Sequence, residues 1–217
     1  MMQKRVIDLT RKLHTGMPIY AGDKPNPEII SRPNKLVHDI TISSIRLGSH
    51  FGTHIDAPRH FFPTGKSLLD IPVNRFVGKA LCLNKENHFP GPIDLTEVEK
   101  MFVVCEKPDW LLLYTGFDRN WGKKDYFLNH PYLSISFAEF ILEVNISGAG
   151  VDFPSIDSAN AQQFDFPIHR TLLGAERLII ENLCCLNKLP NDRPFDLCAL
   201  PLKIDTDGSP ARVVAIL

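Results

Sequence analysis

The sequence carries almost no net charge, since 24 Lys and Arg stand against 25 Asp and Glu, and no basic stripe interleaves with its aromatics. Nucleic-acid binding and adhesion to an anionic membrane therefore leave no electrostatic footprint. Long apolar runs are missing too: Trp110 to Tyr114 and Leu178 to Ile180 fall far short of the ~20 residues that a spanning helix needs. No bilayer span is expected. The first residues, Met1 to Asp8, are followed by no apolar leader core, so a secretory signal is not expected either. Cysteine is sparse. Cys82, Cys105, Cys184, Cys185 and Cys198 are odd in number and include no C-x-x-C pair, and the adjacent two are difficult to bridge. They read as reduced, buried thiols of a cytoplasmic protein, with a redox pair at Cys184 and Cys185 as the sharper alternative. Repeats, low-complexity runs and Gly/Ser linkers are absent as well. With 217 residues, 44% apolar and 23% charged, the chain reads as one globular domain over 1–217.

What is present alternates between element types. Val6 to Leu9 reads as a short strand, Met17 to Asp23 as a loop, and Thr41 to Leu47 as a strand of imperfect alternation. Thr96-x-x-Glu99 and Ser136-x-x-Glu139 have capping-box spacing and predict helices near 96–103 and 136–144. Trp110 to Tyr114, closed by Thr115-Gly116, has the continuous apolar character of a buried strand. Gly148 to Asp152 reads as loop and strand. The alternation predicts an α/β domain with a mixed sheet.

The chemistry concentrates in Ser49 to His60. Three of eight histidines, His50, His54 and His60, fall within it, where an even spread would place about 0.4. Gly52, β-branched Thr53 and Ile55, and Pro58 oppose a helix. In an extended chain 50, 54 and 56 share a face, but at ~3.3 Å per residue positions 50 and 54 lie about 13 Å apart. A bend at Gly52 is therefore expected, folding His50 back beside His54 and Asp56. Two imidazoles and a carboxylate without thiolate suit Zn²⁺, Mn²⁺ or Fe²⁺, and three protein ligands leave a position open for water. The bland alternative is a loop of hydrogen-bonded histidines. Downstream, Glu181 ends an apolar β-rich run and reads as a surface residue or as a ligand on a rigid strand. His169 is equally ambiguous.

These residues, with their flanks, resemble the cyclase family of metal-dependent hydrolases, which includes bacterial kynurenine formamidase and isatin hydrolase. The signature H-x-G-T-H-x-D-x-P-x-H appears as His50, Gly52, Thr53, His54, Asp56, Pro58 and His60. Ordered matches run from Asp8-Leu9-Thr10 and Met17 to Asp23, through Gly150-Val151-Asp152, Ser155-Ile156-Asp157, His169-Arg170 and Glu181-Asn182-Leu183, to Leu200-Pro201-Leu202 and Asp207 to Arg212. The resemblance implies a first metal on His50, His54 and Asp56 and a second on His169 and Glu181, with both carboxylates able to bridge. It implies His60 as the free proton donor and acceptor. It also implies a layered, swivelling β/β/α domain working as a homodimer or higher oligomer, such as a tetramer. One position departs from the formamidase pattern: Tyr20 stands where that branch carries a substrate-stacking Trp, offering less area but a hydroxyl.

The expected activity is hydrolysis of an aryl formamide or cyclic amide. One or two Zn²⁺ or Mn²⁺ ions would activate water and His60 would shuttle the proton. The substrate expected is a small aromatic amide, N-formylkynurenine first, with an isatin-like lactam as the alternative. Gly52 and Thr53 would support the site, Arg170 could steer a carboxylate, and Tyr20, Phe51, Phe61 and Phe62 could line an aromatic pocket. Two rival classes remain open on the residues. His54-x-Asp56 with distant His169 has the order of an Fe(II) oxygenase triad, and a non-catalytic metal-binding module on the same fold needs no turnover.

Overall fold

The structure is a computed structural model that describes residues 4–23, 26–33, 40–86, 90–94 and 107–217. The helix expected near 96–103 and Cys105 lie outside the described residues. In chain order the elements are β1 (Val6–Asp8), β2 (Glu28–Pro33), β3 (Thr41–Arg46), β4 (His54–Asp56), β5 (Val77–Asn84), β6 (Pro92–Ile93), β7 (Trp110–Tyr114) and β8 (Tyr132–Leu133). Then follow α1 (Ile135–Glu143), β9 (Gly148–Val151), α2 (Pro167–Gly174), β10 (Leu178–Glu181), β11 (Phe195–Pro201) and β12 (Gly208–Ile216).

Eight strands form one mixed sheet in the order β1-β12-β11-β5-β7-β9-β10-β4, and β4 also pairs with β12. The sheet thus closes on itself, with β1 flanking the far half of β12. Strands β5, β7, β9 and β10 run parallel, and the remaining pairs in this sheet are antiparallel. The period-2 alternation of strands sorts their side chains into two cores. Trp110, Leu112, Ile180, Leu197, Val213 and Ile55 fill one. Leu111, Leu113, Ile179 and Val151 meet Phe137, Ile141 and Leu172 of the helices in the other. Both faces of β7 are covered, which is why its sequence is uninterruptedly apolar. The expected α/β class with a mixed sheet is what the chain forms.

The helix expected over 136–144 spans Ile135–Glu143, and its cap is Ser134 rather than Ser136: the Ser134 hydroxyl accepts from Phe137 N–H at 3.2 Å. The earlier serine won because Phe137, Ile141 and Ala138 must face the sheet core, which sets the register of the first turn. Strand β3 forms only a two-stranded hairpin with β2, and all six of its residues are exposed. Among the described residues no helix is long and apolar enough to cross a membrane.

Candidate active site

Strand β4 is only three residues long, yet it is fully buried and closes the sheet by pairing with both β10 and β12. Ile55 points into the core that holds Trp110 and Val213, so its neighbours His54 and Asp56 must point to the opposite face. Glu181 stands directly across from His54 on β10, and Gly208 across from Asp56 on β12. Three functional side chains are therefore placed by strand parity and register alone.

The approach to β4 bends where the sequence requires it. Gly52 adopts φ +63°, and a Cβ there would sit 2.7 Å from Leu13 Cδ2 and 3.3 Å from Met17 Cε. Only glycine takes both the left-handed backbone and the missing space. Beyond the bend His50 returns to the cluster, its ring centroid 5.1 Å from that of His54 and its Nδ1 2.7 Å from Asp56 Oδ1.

Each imidazole is oriented by a partner on its other nitrogen. His54 Nδ1 donates to the Gly52 carbonyl at 2.8 Å, leaving Nε2 to face Asp56 Oδ1 at 3.4 Å and Glu181 Oε2 at 3.5 Å. His169 sits in the first turn of α2, where the Asp157 carboxylate accepts from Ile168 N–H (2.9 Å), His169 N–H (2.8 Å) and His169 Nδ1 (2.7 Å). Its Nε2 then faces Glu181 Oε1 at 3.3 Å and Asp56 Oδ2 at 3.7 Å. A carbonyl or carboxylate holding the far nitrogen is the arrangement that presents a metal-ligating lone pair. Ile156 N–H donates to Glu181 Oε1 at 2.7 Å and steadies that carboxylate.

Burial opposes charge throughout this cluster, and mutual attraction outweighs it. His50 is pushed down by burial but lifted by the charge of Asp56 and by hydrogen bonds to Asp207 and Asp56, reaching a pKa of about 10. Burial raises Glu181, while hydrogen bonds from His169 and His54 bring it to about 2. Asp56 is held well below the usual carboxylate range, its own burial being overcome by the neighbouring imidazoles. One atom stays unsatisfied: Asp56 Oδ2 is buried without a hydrogen-bond partner. That is costly unless something not of the chain completes it.

The donor atoms form three groups whose ligand atoms lie within 4.8 Å of one another: His50/His60/Asp207, which is only partly buried, and two deeper triads that share Asp56, His50/His54/Asp56 and Asp56/His169/Glu181. Imidazoles, carboxylates, no sulfur and an orphaned oxygen on the shared carboxylate fit one or two divalent cations of borderline character. The five side chains expected to act together are thus assembled. His60, on a short 3-10 turn, belongs to neither triad; its Nδ1 lies 3.3 Å from Asp207 Oδ2 and its ring 3.9 Å from that of His50.

Above this floor is a cavity of about 300 Å³. Tyr20 stands in its wall, as expected, edge-on to Phe127 at 5.7 Å. Of the phenylalanines expected there, only Phe61 lines it, stacked on His169. Phe51 is buried in the packing and Phe62 lies against the core that the two helices cover. Both follow the chain's turn away from the site. Arg170 is tied to Asp165 at 2.7 Å and lies outside the cavity lining, so it steers nothing there. The walls instead include Trp121, Phe127, Phe166 and His130, none of which carried a local signal in the sequence. Asp157 stood in a quoted motif but without a role, because its partner is twelve residues away. Cys184 and Cys185 are free, and burial together with Cys185 pushes the Cys184 thiol up to about 12. An unactivated thiol gives the redox alternative no support.

Known proteins agree with this architecture. A family model described as "Putative cyclase" matches residues 7–158, and the chain belongs to the cyclase family. The kynurenine formamidase of Geobacillus thermodenitrificans is 31% identical over 209 residues, covering 95% of this chain and 94% of its own. Isatin hydrolase A of Labrenzia aggregata superposes with a TM-score of 0.87 at 24% identity, over 99% of this chain and 94% of that one, a likeness of fold. A structure from Bacillus stearothermophilus described as a predicted metal-dependent hydrolase gives a TM-score of 0.78 at 28% identity, over 99% and 98%.

Proposed function

We propose that this protein hydrolyses the C–N bond of an aryl formamide, taking N-formylkynurenine to kynurenine and formate. His50, His54 and Asp56 would hold one Zn²⁺ or Mn²⁺, and His169 and Glu181 a second, with Asp56 and Glu181 shared. The observation that carries the reading is the pair of buried triads that share Asp56, whose Oδ2 has no hydrogen-bond partner, on the floor of an aromatic-walled cavity. When bound, such a cation polarises a carbonyl and lowers the pKa of water from about 15.7 towards ~7. The protein's own residues do the rest. Tyr20, Phe61 and Trp121 offer ring faces to an aryl group. His60, at the cavity edge and outside both triads, takes a proton from the attacking water and returns it to the leaving nitrogen, which otherwise departs as an anion.

A facial-triad oxygenase needs only His54, Asp56 and His169 and leaves His50 and Glu181 without purpose. The closed sheet with parallel strands is also not a jelly roll. We further infer a single domain over 1–217 acting in the cytoplasm as a homodimer or tetramer. An isolated two-stranded hairpin such as β2–β3 is marginal alone, and its exposed Ile42 and Ile45 call for a covering surface.

The test is assay of chelated protein reloaded with Zn²⁺ or Mn²⁺ on N-formylkynurenine, formanilide and isatin. Hydrolysis of the formamides is expected. Turnover of isatin alone moves the assignment to lactams, and failure on all three favours a non-catalytic module. His60→Ala is expected to retain its metal and lose roughly 10²–10⁴ in rate. Loss of the ion with the side chain would make His60 a ligand.

A further inference from the structure

Asp207 lies outside the two buried triads and groups instead with His50 and His60 at the partly exposed rim of the cluster. Its backbone is fixed against the strand that carries the proposed ligands: Ala57 N–H donates to the Asp207 carbonyl at 2.8 Å, and the next residue, Gly208, pairs with Asp56. The half-exposed carboxylate turns back over the site. A single oxygen, Oδ2, lies 2.8 Å from His50 Nε2 and 3.3 Å from His60 Nδ1.

A carboxylate oxygen in this range only accepts, so each contact calls for an N–H on the facing ring nitrogen. His50 faces a carboxylate oxygen from each ring nitrogen, Asp207 Oδ2 from Nε2 and Asp56 Oδ1 from Nδ1 at 2.7 Å, so both carry protons here; a cation sharing Asp56 would displace the proton on Nδ1 while Asp207 keeps the one on Nε2. His60 carries its proton on Nδ1, which leaves Nε2 as the nitrogen able to accept a proton at the cavity. Packing reinforces the arrangement. A Cβ on Gly208 would lie 2.6 Å from His50 Cε1, so the ring occupies the space that glycine leaves. The His50 and His60 rings lie 3.9 Å apart at 32°, and one constrains the other.

We propose that Asp207 is a positioning residue that sets two imidazoles with one oxygen, aiming His50 Nδ1 at Asp56 and freeing His60 Nε2 for proton transfer. The His60 half rests on the proton-carrier role proposed above. Partners of this kind, behind a metal-ligating or proton-carrying histidine, are typically worth 10–100-fold in metal affinity or rate.

Three measurements test it. Long-range ¹H–¹⁵N correlation spectra of the wild-type, Zn²⁺-loaded protein are expected to show His60 protonated at Nδ1; a bare Nδ1 overturns the proposal without recourse to any variant. Competition with a chromophoric chelator is expected to show Asp207→Ala binding Zn²⁺ about 10–100-fold more weakly, whereas unchanged affinity refutes the His50 half. In a double-mutant cycle on kcat, Asp207→Ala is expected to cost 10–100-fold in the wild-type background and under threefold beside His60→Ala. Equal losses in both backgrounds refute action through His60. If the wild-type protein hydrolyses none of the amides, the proposed function fails on its own, and the nitrogen spectra and Zn²⁺ affinity still decide the role of Asp207.

Discussion

Gly52 and Asp157 show how single residues set this site without touching a substrate. At Gly52, alanine would meet both a positive φ of +63° and Leu13 Cδ2 at 2.7 Å. Strain of this kind costs about 1–3 kcal/mol. Gly52→Ala is therefore expected to lower unfolding stability by that amount in urea and to weaken the first metal equivalent, because the bend brings back His50. Asp157 satisfies two N–H groups of α2 and the His169 ring at once. Asp157→Ala should weaken the second metal equivalent by about 10–100-fold and spare the first. Equal weakening of both, read by competition titration, would show that His169 does not belong to a separate site.

At the scale of elements, β4 is the keystone of the closed sheet. It is too short to be held by its own ladder, and the residue before it supplies an anchor. Thr53 is buried; its hydroxyl donates to the Asn182 carbonyl at 2.7 Å and accepts from Arg11 N–H at 2.9 Å. Thr53→Val keeps the shape but strands both partners, at about 1–3 kcal/mol for each group left unsatisfied. Thermal unfolding should report the loss. Because the tether holds Asn182, the residue that directly follows β10, the variant should also loosen Glu181. A variant as stable as wild type would mean that β12 alone holds β4 in place.

Across the whole molecule, metal, proton and stability are linked. Without a cation His50 is raised to about 10 by Asp56 and Asp207 against its burial, so at pH 7 the ring is charged. A cation sharing Asp56 must expel one of those protons. Affinity is therefore expected to rise about tenfold per pH unit between 7 and 9, and to fall as pH drops. Calorimetry in two buffers of different ionisation enthalpy should count close to one proton released from this ring. A count of zero would contradict the assignment. Metal in 100-fold excess over its Kd adds about 2.7 kcal/mol, so chelation should lower Tm by about 5–10 °C for a chain of this length.

The chemistry is legible in the order of the residues. His50, Gly52, His54, Asp56 and His60 lie within eleven positions, where short-range geometry constrains them, and the buried strand at Trp110 to Tyr114 declares itself by composition. Strand parity told which of these residues share a face, and the missing Cβ at Gly52 marked the bend. Everything carried by long-range pairing emerges only in the folded chain. Glu181 becomes part of the floor because β10 pairs with β4 in a register that sets it opposite His54. Asp207 and Asp157 acquire partners, and Trp121, Phe127 and Phe166 acquire a shared cavity, through contacts that no local periodicity encodes. A side chain's type fixes what it can bind, but its neighbours across a sheet are fixed by register, and register is a property of the closed fold.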